Sequence, residues 1–375
     1  MRSMKILHTA DIHLAPRLEY IEDAGRRAQR REDVAAQADA IPRLAREHGV
    51  DAVVIAGDAF DRDLPAQAEV ARLARALADA AVPVLVAPGT HDPWRPGGVW
   101  DRDWPANVTI FQRDEWETVR VGEAAFHGIA TTGRPRVLFD GLPTDPDARF
   151  QVGVAHASML WADVKEKVDR KNYPFEEADL DATALNYLAL GDHHRMRVAR
   201  RGVRAAAYPG SPEGIALDPA EAGDRFMLVV TLTDPASPPT IEPIKVDRRE
   251  VYLEELDLGD LQHEHPADVD EEVRRRIAAA ASPDRLARFD LTGVLHHALS
   301  LDVSALAEDD GGYFLLQVRD RTRTVPAPPA DLPTIRAAFE RRLAERLATA
   351  ASDSDREIAQ RALALGVQAL EGLPL

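Results

Sequence analysis

The chain contains no cysteine. Disulfides, thiolate zinc sites and cysteine nucleophiles are therefore excluded, and a cytoplasmic location is compatible with that composition. No apolar run is long enough to span a bilayer, so no membrane partner is expected. The opening stretch MRSMKILHTADIHL has a short apolar run and no small-residue cleavage site, so it does not read as a secretion signal. A Gly-x-Ser-x-Gly element is also missing, which leaves no obvious serine nucleophile. Positive charge is in deficit: 46 Lys+Arg against 63 Asp+Glu give a net charge of −17. That balance argues against a protein that coats nucleic acid with a basic surface. It is compatible with an enzyme that gathers carboxylates around cations, because the cations offset the charge.

At 375 residues the chain exceeds one ordinary core, so two or three domains are expected. Residues 4–130 begin with strand-like and helix-like runs in alternation. MKILHT, DAVVIAG and VPVLVAP are apolar enough to be strands buried on both faces, and helical spacing lies between them. This predicts βαβαβ with a parallel sheet, and a kink or break at Pro42 inside the first helix. The later runs NVTIF, WETVRV, AAFHGIA, FQVGVAH, LNYLALGD, RFMLVVTL and TIEPIKV lack long intervening helices and fit a second, mixed or antiparallel sheet. The first domain is expected over residues 4–248. A compact α+β module follows at 249–325, then a Pro-rich linker at 326–333. Residues 334–375 carry Ile335, Phe339, Leu343 and Leu347, then Ile358, Leu363, Val367 and Leu370, which predicts a helical hairpin.

The informative polar residues sit at the ends of the predicted strands. HTADIHL brings Asp11 and His13, IAGDAFD brings Asp58, and APGTHD brings Thr90, His91 and Asp92. VAHAS brings His156, and LGDHHR brings Asp192, His193 and His194. Ligands bind beyond the carboxyl ends of strands in open α/β sheets. Each motif alone is an ordinary turn or a satisfied polar group; five in this order point to one dinuclear metal site. Alternation lets Asp11 and His13 reach inward together. One carboxylate, such as Asp58, has oxygens enough for two cations. Mixed Asp/His donors suit manganese (Mn²⁺), Fe²⁺ or Zn²⁺ better than Mg²⁺.

This ordered set resembles the calcineurin-like metallophosphoesterases, whose pattern is D-x-H, GD, GNH[DE], GH and GHxH. Within that superfamily ILHTADIHL, VIAGDAFDRDLP and YPGSPEGIAL are most similar to the SbcD-type repair nucleases, including the YhaO-like branch. The resemblance implies a four-layer αββα sandwich with a small α+β capping domain and a C-terminal helical tail. It implies two divalent cations, most simply Mn²⁺: a first held by Asp11, His13, Asp58 and His194, and a second by Asp58, His156, Asp192 and Thr90. His91 would protonate the leaving oxygen, and Asp92 would either orient it or cap the loop. The chain departs from the pattern twice. Thr90 replaces the Asn and Asp192 replaces the first His of GHxH, both at the second cation.

The same resemblance implies DNA as substrate, an SbcC-like ATPase as partner, and a homodimer. The run HHRMRVARRGVR adds Arg195, Arg197, Arg200 and Arg201 beside a metal motif, where planar guanidinium forks could hold phosphate. The plain alternative is a solvated hairpin. Arg26, Arg27, Arg30 and Arg31 form a second basic group, read as a solvated helix face. Trp94, Trp100 and Trp104 either stack on bases or pack their loop. Three functions follow: a metal-dependent DNA exo/endonuclease, a phosphodiesterase for nucleotides or small esters, or a non-catalytic scaffold with an eroded second site. The extra module and tail favour the first over the second.

Overall fold

A computed structural model describes residues 3–132, 137–161, 172–261, 266–295, 301–308, 312–324, 334–350 and 352–370. The expected linker at 326–333 lies outside them. The chain divides into two compact units, Met1–Val251 and Tyr252–Leu375.

The first unit opens as βαβαβ. Strand β1 (Met4–Thr9), helix α1 (Ala24–His48), β2 (Ala52–Ala56), α2 (Gln67–Asp79) and β3 (Val84–Ala87) follow in order. β1 pairs parallel with β2, and β2 with β3, in registers Ile6↔Ala52 and Val53↔Val84. Nine strands follow: β4 (Val108–Ile110), β5 (Glu117–Val121), β6 (Ala124–Ile129), β7 (Phe150–His156), β8 (Tyr187–Gly191), β9 (Arg197–Arg201), β10 (Arg204–Tyr208), β11 (Phe226–Leu232) and β12 (Thr240–Lys245). They complete two six-stranded sheets, ordered β12-β11-β1-β2-β3-β4 and β5-β6-β7-β8-β10-β9. The expectation that all later strands join the second sheet fails for three of them. β4 extends the first sheet parallel to β3, and β11 returns antiparallel to β1 with β12 beside it. Period-two patterning says that a run is a strand, not which sheet adopts it. The tryptophan loop before β4 serves as its crossover: Trp100 is buried, stacked between Phe60 and Trp104, so packing is its role.

Side-chain alternation separates the layers. Leu7, Val53, Ile55, Val84 and Val86 face Ile41, Leu44, Leu73 and Leu77 of the two helices. On the other side of the same strands, Ile6, Val54 and Leu85 meet Phe126, Val152, Val154 and Ala189 of the second sheet. Each such side chain contributes about 1.5–3 kcal/mol by leaving water. The far face of the second sheet, with Leu188, Leu190 and Tyr208, is covered by Leu138, Tyr173, Phe175 and Leu180. Helix α1 starts at Asp23, whose side chain accepts from the Arg26 amide, and stops at Gly49 in the left-handed region. It runs unbroken through Pro42, so the expected break does not occur. The proline deletes one ladder bond, and its buried ring stays packed within the helix layer.

A buried polar contact also joins the two sheets across this apolar filling. His8 Nδ1 and Tyr187 Oη lie 2.8 Å apart. Burial lowers the His8 imidazole from 6.5 to about 3. The unfolded chain therefore takes up a proton below pH 6.5 that the folded one refuses until about pH 3. Stability is flat above that window and falls through it as pH drops. Between pH 7 and 5 this group alone costs about 2 kcal/mol. The urea-unfolding free energy of His8→Gln should lose that much less than the wild type over the same interval, and equal losses would refute this account.

In the second unit, β13 (Glu250–Asp257), α3 (Pro266–Ala279), β14 (Arg285–Thr292), β15 (Val294–Leu295), α4 (Val303–Glu308), β16 (Leu315–Asp320) and β17 (Arg323–Thr324) form the α+β module. Its sheet runs β13-β14-β16 over Val269, Val273 and Ile277 of α3. Helices α5 (Ile335–Ala348) and α6 (Asp353–Leu370) follow. Gly366 admits the Phe339 ring, since a Cβ there would sit 2.1 Å from Phe339 Cζ. Leu343 and Val367 are buried, whereas Ile335 and Ile358 remain 80% and 64% exposed.

Candidate metal centre

The carboxyl ends of β1, β2, β3, β7 and β8 bring the predicted residues to one edge of the sandwich. The turns after β1 and β2 are cross-tied: the Asp11 amide donates to Gly57 O and the His13 amide to Asp58 O, both at 3.0 Å. Asp11, His13 and Asp58 take left-handed backbones, with φ of 51°, 48° and 48°. Such conformations cost about 1–3 kcal/mol each in non-glycine residues and cluster at functional sites. Two glycines make room. A Cβ on Gly57 would lie 2.2 Å from His156 Nδ1, and one on Gly89 would lie 2.1 Å from Asp58 Oδ1.

Three ligand groups result among the described residues. Asp11, His13 and His194 form one, Asp11, Asp58 and His156 the second, and His13, Asp61 and His91 a third toward the surface; within each group the donor atoms lie within 4.8 Å of one another. Asp58 also approaches the first group, with Oδ2 3.8 Å from His13 Nε2. Hydrogen bonds select the tautomers. His156 Nδ1 donates to Ala56 O at 3.0 Å, which leaves Nε2 bare 3.3 Å from Asp58 Oδ2. His194 Nδ1 donates to Glu221 Oε1, which leaves its Nε2 3.2 Å from His13 Nε2. Carboxylate–imidazole pairs of this kind fix and strengthen metal-ligating histidines. The donor chemistry fits a divalent cation: His156 Nε2 is buried with no hydrogen-bond partner among the described residues, and the set is mixed N/O. The electrostatics agree. Against burial, which lowers it, the Asp58, Asp11 and Asp192 carboxylates hold the His156 imidazole well above its usual range. A pocket that draws protons this strongly has an excess of negative charge for a cation to neutralise.

Not every expected ligand converges. Asp192 donates its amide to both Asp11 oxygens, at 3.1 Å each, but its own carboxylate accepts from Ser158 Oγ and Asn172 Nδ2. Thr90 is exposed, and its hydroxyl donates to Asp58 Oδ2 at 3.3 Å. His91 is exposed beside the cluster. Its amide donates to Asp58 Oδ1 at 2.8 Å, its Nδ1 lies 3.3 Å from Asp61 O, and its ring centre is 4.8 Å from that of His13. Asp92 makes no hydrogen bond to His91: its oxygens take the Gly89 and Phe60 amides, so it caps the loop. Burial, reinforced by Asp58, pushes the Asp92 carboxyl up to about 7.

All four arginines have neighbours. Arg195 is exposed directly after His194 and donates to Pro219 O at 3.0 Å, and Arg197 lies over the Trp161 ring at 4.6 Å. Arg201 is paired with Asp181, and Arg200 donates to Pro239 O at 3.2 Å. Asp61 and Glu221 escaped the sequence reading. Asp61 Oδ1 stands 3.4 Å from His13 Nδ1, and buried Glu221 holds His194, Ser211 and Arg225. Asp61 lies three residues after Asp58, a weak signal; Glu221 has no motif spacing at all.

Residues 4–200 match the family model described as calcineurin-like phosphoesterase. The chain is 30% identical over 285 residues to the DNA double-strand break repair protein Mre11 of Aeropyrum pernix, covering 68% of this chain and 64% of that protein. To the protein of that name from Halobacterium salinarum it is 26% identical over 334 residues, covering 84% and 78%. It is similar too to the uncharacterized metallophosphoesterase YhaO of Bacillus subtilis, at 27% over 250 residues, covering 62% and 59%.

Proposed function

We propose, because the chain belongs to the calcineurin-like phosphoesterase family of hydrolytic enzymes, that it is a metal-dependent DNA nuclease. The observation that carries this reading is the pair of ligand groups meeting at Asp11. Asp11, His13, Asp58 and His194 would hold one cation, and Asp11, Asp58 and His156 the other, the mixed donors suiting Mn²⁺, Fe²⁺ or Zn²⁺. Two such cations supply Lewis-acid charge, which makes water nucleophilic near neutral pH and neutralises phosphate oxygens.

The protein's own groups do the rest. Asp58 anchors the His91 backbone, and the Asp61 carbonyl beside Nδ1 leaves the other ring nitrogen of His91 for substrate. As water adds to phosphorus and the P–O ester bond breaks, protonated His91 gives its proton to the leaving oxygen, worth about a hundredfold or more. Arg195 and Arg197, beside His194, are suited to the neighbouring phosphates. DNA as substrate is supported by relatives whose names place them in double-strand break repair. An SbcC-like ATPase partner is supported by the exposed Ile335 and Ile358 on the C-terminal helices, a pattern suited to gripping another helix.

The test is Mn²⁺-supplemented cleavage of labelled linear DNA beside a chromogenic phosphodiester. The wild type should cut both, and His91→Ala should lose about a hundredfold or more on DNA while still binding metal. Turnover of the small ester alone would favour a small-molecule phosphodiesterase. No turnover with any cation would favour a scaffold.

A further inference from the structure

The second ligand group, Asp11, Asp58 and His156, is short of a further ligand, because Thr90 offers only a hydroxyl and the Asp192 carboxylate is engaged with its neighbours. One of those neighbours has an unexplained atom. Asn172 is 1% exposed, and its Nδ2 donates to Asp192 Oδ1. A carboxylate only accepts, so the amide orientation is forced and Oδ1 is the free end. That oxygen is buried with no hydrogen-bond partner among the described residues. An orphaned buried acceptor costs about 1–3 kcal/mol and calls for a water or an ion. Its surroundings favour the ion. Asn172 O accepts from the Ser158 amide at 2.9 Å, two residues beyond His156. Asp192, which holds the Asn172 amide, is itself bonded through its backbone to Asp11. His156, whose Nε2 also has no hydrogen-bond partner among the described residues, is close enough to feel the charge of the same Asp192 carboxylate.

We infer that the Asn172 Oδ1 atom is a ligand of the second cation, supplying the amide oxygen that position 90 lacks. Asp192 is then the residue that aims this amide rather than a ligand itself. Ser158 Oγ, donating to the other Asp192 oxygen, keeps the carboxylate from turning inward. The assignment rests on the two-cation reading above.

Calorimetric titration of the full chain with Mn²⁺, folding checked by circular dichroism, separates the two. The wild type should bind two ions. In Asn172→Ala the second should weaken by about tenfold or more while the first is unchanged. Adding Thr90→Asn to that variant should restore the second ion, because the amide returns at the other position. Thr90→Asn alone, at an exposed residue, should gain less than about threefold, since the coordination position is already filled. A tenfold gain from Thr90→Asn alone, or unchanged second-ion affinity in Asn172→Ala, overturns this assignment while leaving two cations in place. Equal loss of both ions in a folded Asn172→Ala marks a merely structural role and overturns it too. Fewer than two ions in the wild type overturns the two-cation reading with it.

Discussion

Asp58→Asn should reduce phosphodiester turnover by about a thousandfold, since each lost Lewis-acid contact is worth several kcal/mol and 1.36 kcal/mol is a factor of ten. Its carboxylate serves several parts of the site at once. Oδ1 accepts from the His91 amide, while Oδ2 faces Thr90 Oγ1, His156 Nε2 and His13 Nε2 at 3.3, 3.3 and 3.8 Å. Burial raises this carboxyl, but the surrounding histidines more than reverse that and hold it ionised. An amide of the same shape carries no charge and turns a donor toward groups that need an acceptor. The fold should survive, because the cross-ties from Asp11 and His13 end on main-chain oxygens of Gly57 and Asp58. The check is turnover of a chromogenic phosphodiester in Mn²⁺ beside a far-UV spectrum. Activity within tenfold of wild type would remove Asp58 from the chemistry.

The largest effect on stability should come from Arg30→Ala. Arg30 and Glu213 are both fully buried and meet at 2.5 Å. Arg30 also donates to Gly214 O, so helix α1 is bound to the loop 209–217. Glu213 takes further bonds from Gln37 Nε2 and the Arg248 and Arg249 amides, at 2.8, 2.8 and 3.1 Å. Deleting the guanidinium strands a carboxylate that burial already pushes above its usual range. Stranding one member of a buried pair costs about 3–5 kcal/mol. Arg72 provides the contrast: it grips Glu32 and Asp39 on the same helix layer, but at the surface, where a pair is worth about 0–1 kcal/mol. Urea midpoints of the two alanine variants should separate clearly; equal midpoints would refute the distinction.

The same residue shows where sequence reading ends. Arg26, Arg27, Arg30 and Arg31 look alike in one dimension, yet Arg30 alone is fully buried. Its partner lies 183 positions away, beyond any local period. The parallel half of the first sheet was legible, since three strand-like runs, two of them continuously apolar, with helices between them allow few arrangements. Membership of β4, β11 and β12 was not, because their partners are chosen by the return path of the chain. At the site, Asp11, His13, Asp58, His156 and His194 were readable as strand ends. Glu221 and Asn172 were not, for each reaches the site through a hydrogen bond to a residue far along the chain, His194 and Asp192, and no spacing announces that. Asp92 was readable as either an orienting group or a loop cap, and what decides for the cap is a Phe60 amide from a different loop, which no local pattern shows.

The donors of this centre are divided between the two sheets: Asp11 and Asp58 follow strands of one, His156 and His194 strands of the other. Their separation is set by the contact that lets Gly191 lie against Ala56 O, where even a methyl carbon would stand 1.9 Å away. The sandwich therefore works as a caliper. The width of the jaws follows from the thickness of the apolar filling, so side chains remote from the pocket set the spacing of its donors.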